Sequence, residues 1–264
     1  MMTEADSAIK MEGKIEVRIN DDIRKKGAIH LTLIDPEGTT PDKVKDIVTQ
    51  SESAGSSGIM VGGSTSIFVS HLDSVIEAIR SATRLPIILF PNNVSSISSH
   101  ADAIWFMSLL NSSNPYWIIG AQALGAPLVK RLGVEAIPMG YVVVGKGGIA
   151  GLVGEAKPIP YDRPELAAMY ALAGEFLGMR FIYLEAGSGA EHPVPPEMIR
   201  RVRSAISSRL VVGGGIKSPE QAKLAVKSGA DVIVTGTVAE RSRSPLRTLR
   251  GIVRAVEEGA CLRI

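Results

Sequence analysis

The chain is short of the residues that define several large classes of protein. It has one cysteine, Cys261, among 264 residues, so no intrachain disulfide forms, and that thiol lies far in sequence from every motif described below. Its four histidines, His30, His71, His100 and His192, match no zinc-ligand spacing. A formal charge of only +2 leaves no basic footprint for nucleic acid. No apolar run reaches the length of a membrane span, and the N-terminal stretch through Lys26 is polar and mixed in charge, unlike a secretory signal. These absences predict a soluble cytoplasmic protein. Neither a nucleophile elbow nor a Ser-His-Asp order is present, which argues against hydrolysis through an acyl-enzyme.

What is there is glycine in particular places. Val211-Val212-Gly213-Gly214-Gly215-Ile216 and Val232-Ile233-Val234-Thr235-Gly236-Thr237 each end a β-branched run that reads as a buried parallel strand, and each leads into a helical stretch. A backbone N–H approaches a phosphate closely only where side-chain bulk is missing, and a following helix N-terminus favours the same negative charge. Two such turns in consecutive βα units are the phosphate grip after strands seven and eight of a (β/α)8 barrel. Glycines also end strands in α/β proteins that bind no phosphate. Here the turns close a chain that alternates strand and helix throughout.

The remaining units can be read in order. Strands are predicted at 28–34, 58–62, 86–90, 103–108, 136–144, 180–184, 209–212 and 231–234. Helices follow at 41–54, up to about Thr83, 115–132, 163–178, 196–207, 218–228 and 244–258. Only residues 94–101 break the pattern, leaving room for a short third helix or none. The length is close to the roughly 250 residues of one such barrel, and 45% hydrophobic with 21% charged residues is an ordinary globular balance. The fold class is therefore α/β, a single TIM-barrel domain over 1–264, with 1–27 an N-terminal extension and 28–258 the barrel. Residues 145–162 (GKGGIAGLVGEAKPIPYD) form a long glycine-rich connection that reads as a substrate-covering segment. Gly145, Gly147 and Gly148 do not make a dinucleotide fingerprint, because Pro158 and Pro160 oppose the long helix which that motif must open.

Strand ends converge on the catalytic face of a barrel. They collect Asp35, Glu37, Ser64, Thr65, Asn92, Asn93, Asn111, Glu185 and Ser188 with the glycine turns. Asp35 with a hydroxyl from Ser64 or Thr65 suits Mg²⁺, which takes one or two carboxylates, waters and substrate phosphate oxygens. Equally, Asp35 before Pro36 is an ordinary turn former, and either hydroxyl is an ordinary helix N-cap. Glu185, at the mouth of strand six beside the first glycine turn, is placed to take a proton from a hydroxyl of a phosphate-bearing ligand. As a glutamate opening the loop Ala186-Gly187-Ser188-Gly189, it can also be plain surface. His30 within strand one reads as a core histidine.

Together Leu33-Ile34-Asp35-Pro36, Val61-Gly62-Gly63-Ser64, Tyr183-Leu184-Glu185-Ala186-Gly187-Ser188-Gly189, Val212 to Ile216 and Thr235-Gly236-Thr237 resemble the geranylgeranylglyceryl phosphate synthase family. So does the stretch from Ala101 to Pro115, and the likeness runs from about residue 28 to 240. The resemblance implies a prenyltransferase that joins geranylgeranyl diphosphate to the 3-hydroxyl of sn-glycerol 1-phosphate, the first committed ether bond of archaeal membrane lipids. It places Mg²⁺ on Asp35 and Ser64, with Thr65 the nearest substitute. The glycerol phosphate falls to Tyr183, Leu184, Glu185, Ala186, Gly187, Ser188, Gly189, Gly213, Gly214, Gly215, Gly236 and Thr237. Glu185 is the implied catalytic base. Bacterial relatives use a longer heptaprenyl donor, and the Ala186 to Gly189 loop is more similar to the archaeal form.

A prenyl donor requires an apolar trough, whose burial of the chain is worth about 0.8 kcal/mol per CH₂. Ile104 to Met107 and Tyr116 to Ile119 offer side chains for it, although such aromatic stripes more often pack as core or subunit contact, and Tyr141 and Tyr161 are candidates for its bounds. The family likeness also implies a homo-oligomer, a dimer or larger. Membrane contact is expected to be transient at most, because no strongly basic amphipathic helix is visible. Two other functions fit the glycine turns. One is a sugar phosphate isomerase, which would use Asp35 and Glu185 as an acid and base pair; the other is a non-catalytic module that binds a phosphorylated metabolite.

Overall fold

The computed structural model describes residues 12–63, 69–240, 242 and 244–263. Eight parallel strands close into one barrel in chain order: β1 (Ile29–Ile34), β2 (Gly58–Val61), β3 (Ile87–Leu89), β4 (Ala103–Leu109), β5 (Glu135–Val143), β6 (Phe181–Glu185), β7 (Arg209–Gly213) and β8 (Val232–Thr235). The closing pair is β1 with β8, in the register Thr32 to Thr235. The helices are α1 (Lys14–Lys26), α2 (Pro41–Ala54), α3 (Val69–Ala82), α4 (Ala121–Leu132), α5 (Gly148–Val153), α6 (Pro164–Phe176), α7 (Pro196–Arg203), α8 (Pro219–Lys227), α9 (Thr237–Glu240) and α10 (Pro245–Ala260). This is the (β/α)8 architecture expected from the sequence. Pro41, Pro164, Pro196, Pro219 and Pro245 each open a helix, where a fixed φ is pre-organised and no N–H is lost.

Strand alternation sorts the core into layers. Ile29, Leu31, Met60, Trp105, Met139, Phe181 and Val211 fill the barrel interior, while their neighbours Ile182, Leu184, Val212 and Ile233 pack outward against helices. The β6–β7 ladder reaches the rim at Glu185 opposite Gly213, and the Ala186 N–H continues it to the Gly213 carbonyl at 3.1 Å.

Two elements depart from the regular repeat, the first beyond what the sequence suggested and the second as residues 94–101 led one to expect. The N-terminal extension forms α1, which closes the N-terminal end of the barrel. Ile19 and Ile23 are buried among the interior side chains, and the Glu135 carboxylate accepts from the Ile15 and Glu16 amides at 2.9 and 2.8 Å, capping the helix. Buried Glu16 takes both arms of Arg180, at 2.5 and 2.6 Å. The fourfold spacing of Ile15, Ile19 and Ile23 was the signal for this helix, masked by its surrounding charge. In the third unit, the helix is reduced to one 3-10 turn, Val94–Ser96. That leaves the flank between β3 and β4 without a covering helix.

Candidate active site

At the C-terminal end of the barrel lies a cavity of about 680 Å³ with two arms. The polar arm is built by the glycine turns. Gly214 has φ +82°, a conformation few L side chains adopt, and a Cβ there would stand 2.6 Å from the Gly187 amide. The β6 and β7 loops are therefore interlocked backbone against backbone. Gly214, Gly215, Gly236 and Thr237 line this arm with Ser188 and Gly189. Ser188 and Thr237 are joined through their hydroxyls at 3.2 Å, tying the β6 loop to the start of α9.

Glu185 ends β6 and is buried. One carboxylate oxygen accepts the Gly187 N–H at 2.6 Å, and the Tyr183 and Tyr141 hydroxyls also donate to the group. Burial pushes the Glu185 carboxyl above its ordinary range against the pull of those three donors. Burial first and the Glu185 charge second raise both tyrosines well above theirs. The hydroxyl of Tyr183 occupies the space that a side chain at Gly213 would need. Phe90 completes an aromatic cluster, with ring centroids 5.6 Å from Tyr141 and 5.6 Å from Tyr183.

Asp35 lines the cavity from the end of β1. Its carboxylate accepts the Glu37 N–H at 3.0 Å, and partial burial raises its pKa. A Cβ on Gly63 would sit 2.6 Å from Asp35 Oδ1, so only a glycine lets the chain after β2 pack this closely against the carboxylate. Ser64 and Thr65, the hydroxyls expected beside it, lie outside the described residues. Among those described, no three His, Cys, Asp or Glu cluster as a metal site.

The apolar arm runs through the flank left bare by the reduced third helix. Ile97, Ile104, Phe106, Met107 and Trp117 line it. Gly125 of α4 lines it as well, facing Ile97. The helix expected over 115–132 begins as a π-helical turn, Tyr116–Gly120, and continues as α4; Ser108 Oγ donates to the Ile118 carbonyl at 2.7 Å and holds the turn. Ala150, Val153 and Gly154 bring the 145–162 connection to the same rim.

Not every expected residue faces the cavity. Leu184 and Ala186 turn into the outer core. Asn111 is spent on structure, donating to the Val143 and Lys157 carbonyls at 2.8 and 2.9 Å. Tyr161 is not among the lining side chains; it donates to the His192 carbonyl at 2.9 Å. Phe90 and Gly125 line the cavity and were not anticipated, since neither stands in a motif.

A closed (β/α)8 barrel with glycine turns after β7 and β8, a buried carboxylate beside them and an apolar arm places the protein in the class of barrel proteins with a site at the C-terminal ends of the strands. The chain belongs to the PcrB family, whose model matches residues 20–256. It is 50% identical to the geranylgeranylglyceryl phosphate synthase of Thermofilum pendens over 250 residues, covering 95% of this chain and 98% of that one. With the same enzyme of Pyrococcus horikoshii it shares 53% identity over 247 residues, 94% and 96% of the two chains. Among solved structures, it is similar to (S)-3-O-geranylgeranylglyceryl phosphate synthase from Thermoplasma acidophilum in complex with sn-glycerol-1-phosphate. That match has a TM-score of 0.88 at 42% identity, covering 94% of this chain and all of the other.

Proposed function

We propose that this protein is a prenyltransferase that forms the ether bond between the 3-hydroxyl of sn-glycerol 1-phosphate and the C1 carbon of geranylgeranyl diphosphate. The observation that carries the reading is the continuity of the cavity: one space joins the glycine turns to an apolar arm and holds Asp35 and Glu185 on its walls. A sugar phosphate isomerase has no use for such an arm.

The backbone amides at Gly214, Gly215, Gly236 and Thr237 hold the glycerol phosphate, and this positioning turns a bimolecular encounter into a local one. The apolar arm holds the prenyl chain and excludes water that would compete for the allylic carbon. As the C1–O bond to diphosphate breaks, the glycerol 3-hydroxyl oxygen bonds to C1 and its proton passes to Glu185; diphosphate leaves. Glu185 suits this role because burial raises its proton affinity, while Gly187, Tyr183 and Tyr141 keep the carboxylate aimed. Asp35 fits a Mg²⁺ ligand, since one carboxylate on the cavity wall matches an ion that draws its other ligands from water and phosphate. Bound there, the ion would neutralise the diphosphate as a leaving group.

The test is product formation from sn-glycerol 1-phosphate and geranylgeranyl diphosphate with Mg²⁺, run beside the enantiomeric phosphate and a heptaprenyl donor. The expected product forms from the 1-phosphate and the C20 donor, and chelation or Asp35→Ala abolishes it. A folded protein that binds phosphate but transfers no prenyl group would refute the proposal.

A further inference from the structure

One buried titratable group has no part in that chemistry. His30, on β1, alternates with Ile29 and Leu31, which enter the barrel interior, so its ring stands on the outer face of the strand. It is 1% exposed. Where an aliphatic residue would pack, the ring makes two short polar contacts: Nδ1 to Ser56 Oγ at 2.8 Å and Nε2 to Thr235 Oγ1 at 2.8 Å. Ser56 is itself joined to Thr32 Oγ1 at 3.2 Å. Desolvation lowers the imidazole pKa to about 3, so near neutral pH the ring has one N–H and one lone pair. One hydroxyl donates to the ring and the other accepts from it, which saturates both nitrogens.

Thr235 is the last residue of β8 and directly precedes Gly236 and Thr237. On the β7 side the ladder stops one residue earlier, at Gly213 opposite Val234, while on the β1 side it reaches Thr235 opposite Thr32. At Thr235 the backbone ladder therefore runs on the β1 side alone, and on the other side the turn is met by the Ser188 hydroxyl at Thr237. A Cβ on Gly236 would lie 3.0 Å from the Leu33 carbonyl, so the turn itself also leans on β1. The His30 contact adds a side-chain tie to β1 at the residue where the β7 ladder is missing, and Ser56 anchors that tie to the loop before β2.

We infer that His30 is a positioning residue for the phosphate grip: through Thr235 it fixes where the Gly236 and Thr237 amides stand. It touches no substrate atom. The inference rests on the proposed glycerol phosphate site, and it makes the β8 half of the grip depend on a strut outside the cavity.

The test compares the intact wild-type protein with His30→Phe, which keeps a ring but removes both contacts, Thr235→Val, which removes one hydroxyl at nearly constant shape, and His30→Gln, which restores a donor and an acceptor. Calorimetry with inorganic phosphate and with sn-glycerol 1-phosphate is run beside KM for both substrates, well below each variant's Tm. We expect His30→Phe and Thr235→Val each to weaken phosphate binding and raise KM for the 1-phosphate roughly three- to tenfold, the range one hydrogen bond supplies. The KM for the prenyl donor stays unchanged, the double variant is no worse than the worse single one, and His30→Gln recovers part of the loss. A lowered Tm with unchanged phosphate affinity in Thr235→Val would make His30 a purely structural residue and overturn the inference. Parallel loss of affinity for both substrates would overturn it too. Because inorganic phosphate reads the grip directly, failure of the wild-type protein to transfer a prenyl group refutes the proposed function without deciding this point.

Discussion

Replacing Glu185 with Gln tests the chemistry most directly. The side chain keeps its shape and loses its capacity to accept a proton. General-base assistance contributes typically about 10² to 10⁴-fold, so kcat should fall within that range. The structure separates this loss from a loss of binding. In the proposed site the glycerol phosphate is held by the backbone of the β7 and β8 turns, and the Glu185 carboxylate accepts the Gly187 N–H at 2.6 Å, which Gln Oε1 can still accept. The two tyrosine hydroxyls can rotate to accept from the new amide, so the affinity for sn-glycerol 1-phosphate should change less than about threefold, under ~1 kcal/mol. The pH profile supplies the sign. The active form is the carboxylate, and burial raises its pKa, so kcat/KM in the wild type falls as pH drops through a value above the usual carboxylate range. In Glu185→Gln the small residual rate should lose that acid limb. Single-turnover rates and calorimetric affinities measured from pH 4.5 to 8 decide the matter. Equal losses of turnover and binding, or an acid limb that persists in the variant, would remove Glu185 from the role of base.

Three further outcomes are expected. Gly214→Ala forces a side chain into φ +82° and toward the Gly187 amide, and should reduce glycerol phosphate affinity more than tenfold in calorimetry while the far-ultraviolet circular dichroism stays native. Gly125→Phe places a ring in the apolar arm; competition assays should show the C20 donor losing to a C15 donor, with KM for the glycerol phosphate unchanged. Arg180→Met leaves Glu16 buried without its bidentate partner and should cost about 3–5 kcal/mol in urea unfolding; the double variant Glu16→Gln/Arg180→Met should recover part of that.

Much of this protein is written locally. Prolines at helix starts, β-branched runs and glycine turns are short-range signals, so the strands fell within one or two residues of their predicted ends, and the turns after β7 and β8 stand where Gly213 to Gly215 and Gly236 to Thr237 placed them. Asp35 and Glu185 were visible for the same reason, because the end of a barrel strand is a position that chain order specifies. The closed barrel then brought these rims together around one cavity.

Other features belong to tertiary structure alone. Residues 94–101 predicted a short or absent helix, but only the assembled barrel turned that missing cover into an apolar arm, since an opening exists only between neighbours. Phe90 acquired its place by packing on Tyr141 and Tyr183, which lie far from it in the chain. His30 reads as a core histidine on β1; its bond to Thr235, 205 residues away, follows from barrel closure between the first and last strands. Hydrophobic period and turn chemistry act over a few residues and determined the elements. The partners of each buried polar group are set by ring closure, which no local pattern encodes.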